Sequence, residues 1–206
     1  AHALALAGWL WQQNLPICID VWIPCVENAI SSNAFRPSDI IRSRKGISVE
    51  IGNTDAEGRL ILADCITAAT TKAPDLMIDF ATLTGAARVA LGPEVPAYFS
   101  NKQELVERIM HTAKDCQDPL WPLPLHQPYK KLLHSDHADI NNCGSSGLGG
   151  AITAALFLEE FMVQSCPWVH IDLMAYNTKS SPGHPLGGEA MGLWTMAKVI
   201  ADYFKE

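Results

Sequence analysis

Short apolar runs alternate with helical patterns along this chain, and that alternation limits the fold more than any other feature of the sequence. Residues 17–23 alternate in polarity, are partly β-branched and lie between Pro16 and Pro24, as a strand would. Residues 46–51 and 168–173 read as further strands, 76–80 as a short buried one, and 96–100 as an edge strand. Between them the apolar spacing predicts helices over 2–13, 60–71, 84–91, 103–116, 151–163 and 188–204, with Pro74 ending the second. Residues 27–43 and the Pro-rich 119–128 carry loop chemistry, and the Gly/Ser-rich 144–150 is a flexible turn. Strands alternating with helices predict an α/β fold, a layered sandwich with a mixed, largely parallel sheet flanked by helices. Without an internal repeat, low-complexity tract or linker, one domain is expected.

Composition matters mainly for what it excludes. Of 206 residues, 48% are apolar, enough for a sizeable core. A net charge of -7 and the lack of a polybasic run argue against nucleic acid as a partner. Residues 2–13 are almost continuously apolar, which predicts a helix buried on most sides. No charge precedes this run and it is too short to cross a bilayer, so it reads as neither a signal peptide nor a membrane span. The run reads as the inside of a buried helix that entered the chain earlier, so Ala1 reads as a cut end. The cysteines (Cys18, Cys25, Cys65, Cys116, Cys143 and Cys166) form no CxxC pair. Buried, reduced thiols are expected; disulfides would require an oxidising compartment. The tryptophans are expected in the core or in subunit contacts.

The densest chemistry lies at Asp55, Glu57 and Arg59. In an extended segment, residues at i, i+2 and i+4 share a side, so all three would face one site. Two carboxylates and a guanidinium suit divalent cations with an anion beside them. Gly58 removes bulk where the backbone approaches a ligand. The spacing alone favours a plainer account, with Asp55 capping the next helix and Glu57 and Arg59 in surface pairs.

The complete string Asn53-Thr54-Asp55-Ala56-Glu57-Gly58-Arg59-Leu60 is far more specific. It is identical to the signature of the leucyl aminopeptidase (cytosol aminopeptidase) family. Pro24-Cys25-Val26-Glu27-Asn28-Ala29-Ile30 and Asn33-Ala34-Phe35-Arg36-Pro37 resemble the segment before that signature. Ala81-Thr82-Leu83-Thr84-Gly85-Ala86 is similar to the family's substrate loop. Gly149-Gly150-Ala151-Ile152-Thr153-Ala154-Ala155 and Trp168-Val169-His170-Ile171-Asp172 follow in family order, so the resemblance covers essentially the whole chain.

The resemblance implies a metal-dependent aminopeptidase that hydrolyses N-terminal amino acids from peptides. Asp55 would bind one metal, Glu57 would bridge two, and Arg59 would hold a bicarbonate acting as general base. Leu83 and Gly85 would hold the peptide through their backbone, with Thr82 beside the side-chain pocket. The two divalent ions would be Mn²⁺, Zn²⁺ or Mg²⁺, since oxygen ligands do not choose among them. A cytoplasmic homo-hexamer with active sites facing an inner cavity is also implied, with neither nucleic acid nor membrane as partner.

The chain also departs from the family pattern. The family's first metal ligands, in a Gly-Lys-Gly…Phe-Asp-Ser-Gly-Gly stretch and an Asp-Met-Gly-Gly segment, precede the part shown here, as does its N-terminal domain. Residues 1–206 therefore correspond to the C-terminal portion of the catalytic domain. A non-catalytic oligomeric scaffold with an incomplete metal site is the alternative. Met174 and Asn177 would alter the pocket for the first side chain, and His184 stands where Arg is more usual. His134, Asp136, His137 and Asp139 have a metal-like composition but match no family ligand. His170 and Asp172 would point the same way along a strand and could pair, but a satisfied core histidine is the expected reading of His170. Gly183-His184-Pro185 reads as a turn, and the 144–150 turn lacks the Lys-Ser/Thr of a phosphate loop.

Overall fold

The computed structural model describes residues 1–27 and 31–205. In chain order the elements are α1 (His2–Gln12), β1 (Ile40–Arg42), β2 (Ser48–Glu50), α2 (Glu57–Thr70), β3 (Met77–Ala81), α3 (Gly85–Leu91), β4 (Ala97–Ser100), α4 (Gln103–Cys116), β5 (Trp121–Pro122), β6 (Ile140–Asn141), α5 (Gly150–Glu159), β7 (Trp168–Asp172), β8 (Tyr176–Asn177), β9 (Gly187–Gly188) and α6 (Leu193–Tyr203). Short 3₁₀ segments cover Thr54–Ala56 and Gln127–Leu133. The chain forms two compact units: one from Ala1–Val21, Ile78–Pro124 and Pro167–Glu206, the other from Trp22–Met77 and Leu125–Cys166.

The first unit is built on a four-stranded sheet of order β3-β7-β4-β5. Every residue of β7 is buried, the polar His170 and Asp172 included. β4 runs antiparallel to β7, with Phe99 opposite His170, and parallel to β5. The expected edge strand at 96–100 is thus an interior one, because the two residues of β5 inside the Pro-rich stretch pair with its far side. Helix α4 lies against β4, where Tyr98 donates its hydroxyl to the Val106 carbonyl (2.7 Å). The Asp118 carboxylate receives the N–H groups of Gly192, Trp194 and Thr195 at the start of α6 (2.7–3.1 Å), satisfying donors that a helix leaves unpaired. Gly192 (φ +70°) is required there, since a Cβ would stand 2.7 Å from Leu120 Cδ2.

The second unit pairs β1 antiparallel and β6 parallel with β2. Helix α5 is apolar all round and buried along most of its length. It packs beside α2, and Thr67 Oγ1 bridges the Phe161 carbonyl (2.9 Å) while Thr70 Oγ1 receives Val163 N–H (3.0 Å).

The layered α/β class is as expected, and the sheets are mixed. Antiparallel pairing takes a larger share than strand–helix alternation suggests, because β4 and β7 oppose each other and β1–β2 and β8–β9 are antiparallel pairs. Residues 17–23 are not a strand: no strand among the described residues lies beside them, and an unpaired strand is not stable. Helix α1 is not buried on most sides either. It sets Leu6 and Leu10 on α6, while Leu4 is 58% and Trp11 83% exposed. Of the tryptophans, Trp168 is fully buried, whereas Trp22, Trp121 and Trp194 lie open like Trp11. All six cysteines are free thiols, but only Cys166 is buried, and Cys18 and Cys25 are exposed. The chain there has no regular structure to cover them.

Candidate functional site

The signature segment sits in the second unit, at the junction of β2 and α2. Asn53 is extended and its side-chain oxygen accepts Asp55 N–H (2.9 Å), which starts the 3₁₀ turn over Thr54–Ala56. The chain passes directly from that turn into α2 at Glu57. The segment is therefore helical where an extended one was expected, and the helix begins earlier than residue 60. An α-helix turns ~100° per residue, so Glu57 and Arg59 leave its axis about 200° apart.

The side chains divide accordingly. Asp55 is exposed, Glu57 is half-buried, and both line a cavity of about 990 Å³ with Thr54, Arg42, Arg44 and Asp64. Arg59 is only 9% exposed. Its Nη1 donates to the Asn142 carbonyl (2.7 Å) and its guanidinium carbon lies 5.8 Å from the centre of the Phe157 ring. The three residues do not present one common face. Among the described residues no ion pair engages the carboxylate of Asp55 or Glu57.

Asn142, fully buried, organises the start of the signature. Its side-chain oxygen accepts the N–H groups of Gly52 (2.9 Å) and Asn53 (3.0 Å), and its Nδ2 donates to the Asn53 carbonyl (2.7 Å). Gly52 fits because a Cβ would come 2.7 Å from Cys143 Sγ. Sequence reasoning missed Asn142. Its only signal is an Asn pair before a Gly-rich turn, and that pattern names no partner.

In the first unit, β3 leads through Thr82 and Leu83 into α3, whose N-cap is Thr84. Thr84 Oγ1 accepts Ala87 N–H (3.1 Å). From the end of β7, Asp172 receives Leu83 N–H (3.0 Å), Thr84 N–H (3.1 Å) and the Thr84 hydroxyl (2.6 Å). Thr82 and Gly85 are exposed and Leu83 is half-buried. His170 shares a face of β7 with Asp172 without pairing with it, and is the satisfied core histidine expected, fully buried. His170 Nδ1 meets Asp79 on β3 (2.6 Å), and the other oxygen of Asp79 takes the Trp168 indole N–H (2.7 Å).

The remaining candidates have ordinary partners. His134 Nε2 lies 3.2 Å from Asp136, both exposed, and Asp139 is bonded to Ser48. Among the described residues no group of three His, Cys, Asp or Glu side chains is placed to hold a metal. Asn177 Nδ2 donates to the Pro185 carbonyl (3.2 Å) and to Glu189, and His184 Nδ1 lies 3.2 Å from the same carboxylate. That His184 contact, with help from Asn177, holds Glu189 below the usual carboxylate range. Ser181 and His184 exchange backbone hydrogen bonds around the Gly183 turn. Asn28, Ala29 and Ile30 of the upstream motif lie outside the described residues. No helix among those residues is long and apolar enough to cross a membrane.

The fold is that of a peptidase family's catalytic domain. Residues 1–197 match the catalytic domain of the cytosol aminopeptidase family, and the chain belongs to that family. It is 43% identical over 180 residues to a protein of Persephonella marina named "Probable cytosol aminopeptidase", covering 86% of this chain and 36% of that one. A relative of the same name from Chlamydia abortus is 45% identical over 210 residues, covering 100% of this chain and 42% of that one. The crystal structure of cytosol aminopeptidase from Coxiella burnetii superposes with a TM-score of 0.95 at 47% identity, covering 98% of this chain and 44% of that one. The chain thus spans well under half the length of these relatives.

Proposed function

We propose that this chain supplies metal- and peptide-binding residues to a cytoplasmic aminopeptidase that removes N-terminal amino acids from peptides. The observation that carries this reading is the opening of Asp55 and Glu57 onto one cavity of the second unit, within the intact family signature. Their donor set fits hard divalent ions: two carboxylates, no thiolate, and no competing ion pair among the described residues. Asp55 and Glu57 would hold these ions, with Mn²⁺, Zn²⁺ or Mg²⁺ as the candidates. Such ions, when bound, make a water acidic and neutralise charge developing on the scissile carbonyl.

Arg59 contributes a fixed cation. Its planar fork, oriented by the Asn142 carbonyl, matches the flat bidentate shape of bicarbonate, the general base implied by the family resemblance. In the first unit, Leu83 and Gly85 hold the peptide backbone and Thr82 borders the first side chain. A homo-hexamer is the proposed assembly, again on family resemblance.

The test uses the complete protein supplied with Mn²⁺ or Zn²⁺ and follows amino-acid release from aminoacyl amides. Asp55→Ala and Glu57→Ala are expected to lose bound metal and activity together. Activity that survives either substitution overturns the ligand assignment. Fewer than about two ions per chain in an inactive parent protein would favour a scaffold with an incomplete site.

A further inference from the structure

Asp172 is buried (2% exposed) at the end of β7, and the roles proposed above do not use it. A buried carboxylate needs donors around it. Asp172 draws all three of its side-chain hydrogen bonds from one turn: Leu83 N–H, Thr84 N–H and the Thr84 hydroxyl. Capping α3 does not require this, because Thr84 Oγ1 already meets Ala87 N–H.

The geometry of the peptide unit gives the arrangement a consequence. A trans peptide places its C=O opposite the N–H of the following residue. With Leu83 N–H turned in toward Asp172, the Thr82 carbonyl points away from it. With Thr84 N–H turned in as well, the Leu83 carbonyl also points away. Among the described residues neither carbonyl accepts a hydrogen bond. Next along the chain, Gly85 is exposed, and a Cβ on it would meet nothing within 4 Å. The turn therefore offers two outward acceptors beside open backbone, where the N–H groups of an extended peptide can meet them.

We propose that Asp172 is a positioning residue for peptide recognition. By holding the inward N–H groups of Leu83 and Thr84, it turns the Leu83 carbonyl outward as an acceptor for the substrate's N–H groups. Thr84 completes the anchor, linking Asp172 to the first turn of α3. This inference rests on the aminopeptidase reading and adds to it the residue that sets the conformation of the peptide-binding turn.

Three measurements on the complete Mn²⁺-supplied protein test it: hydrogen–deuterium exchange over residues 82–87, kcat and KM for an aminoacyl amide, and bound metal per chain. Asp172→Asn keeps the shape but loses the charge and one acceptor. Exchange at Leu83 and Thr84 should accelerate about tenfold, since each lost bond is to a charged group. KM should rise about tenfold with kcat changed less than about twofold and metal content unchanged, the signature of lost ground-state binding. Thr84→Val should act in the same direction, and Thr84→Ser, which restores the hydroxyl, should bring KM back. The valine variant keeps the test decisive should Asp172→Asn fail to fold. Unchanged exchange overturns the anchor. Faster exchange with unchanged KM in an active enzyme overturns the positioning role alone. A parent protein that releases no amino acid overturns the aminopeptidase reading, and this inference with it.

Discussion

Replacing Asn142 by alanine should loosen the signature segment without touching a proposed ligand. The side chain makes three hydrogen bonds: from Gly52 N–H, from Asn53 N–H, and to the Asn53 carbonyl. Each such bond contributes about 0.5–1.5 kcal/mol net. Gly52 and Asn53 lie near the surface, where water takes over part of the lost bonding, so the sum should fall at about 2–3 kcal/mol. At tenfold per ~1.4 kcal/mol, that accelerates amide exchange at Gly52 and Asn53 by roughly 30- to 150-fold. The Asn142 main-chain carbonyl, which holds Arg59, remains in place. Exchange mass spectrometry of the complete protein over residues 50–58 is the assay, with a Mn²⁺ titration beside it. Metal should bind more weakly, because Asp55 is set by Asn53, and Asn53 by Asn142. Unchanged protection at Gly52 and Asn53 would refute the reasoning, since it would show that the turn holds its shape without the side chain.

Gly85→Ala adds a methyl group to open space at the first position of α3, so thermal stability should hold or rise by up to ~1 kcal/mol. KM for aminoacyl amides should rise nonetheless if the peptide approaches this backbone; a lower melting temperature would contradict the open geometry, and an unchanged KM the binding role. Ser48→Ala tests a pH effect. The Ser48 hydroxyl (2.6 Å), followed by its N–H (2.8 Å), holds Asp139 below the usual carboxylate range. A lowered folded pKa stabilises above the unfolded value, and this contribution fades as pH falls through the folded one. The parent should therefore outlast Ser48→Ala at neutral pH, with the gap closing in acid; melting temperature against pH reads this, and a gap constant across pH would rule it out. Lys130→Met should remove the ion pairs to Glu159 and Glu160, at 3.0 and 2.5 Å, yet lower stability by only ~1 kcal/mol because these groups are part-exposed. A loss of several kcal/mol in urea unfolding would show that these contacts matter more than surface ion pairs do.

Local pattern sufficed for elements whose neighbours merely repeat what the pattern says. The strands at 76–80 and 168–173 and the helices at 84–91 and 103–116 are β3, β7, α3 and α4, because each carries its own period, cap or breaker. Residues 17–23 carry an equally good strand pattern and form none, since a strand also needs an edge to pair with. Helix α1 reads as buried on most sides, but composition reports only what a face would prefer, and a face is covered only where another element reaches it. The octapeptide named the candidate ligands as a string. Its i, i+2, i+4 geometry was misread because nothing in that spacing distinguishes a strand from a 3₁₀ turn entering a helix.

By itself, then, the sequence determined the family, the α/β class and which residues are candidates for metal and peptide. Tertiary structure alone decided what those residues face. Arg59 turns inward to a carbonyl 83 positions away, and the Leu83 turn is set by a carboxylate 89 positions away. His170 takes Asp79 as its partner, leaving Asp172 to hold the turn. The physical reason is that periodicity fixes the side of an element on which a group lies. Which donor meets it there depends on how distant segments pack, and no local spacing encodes that.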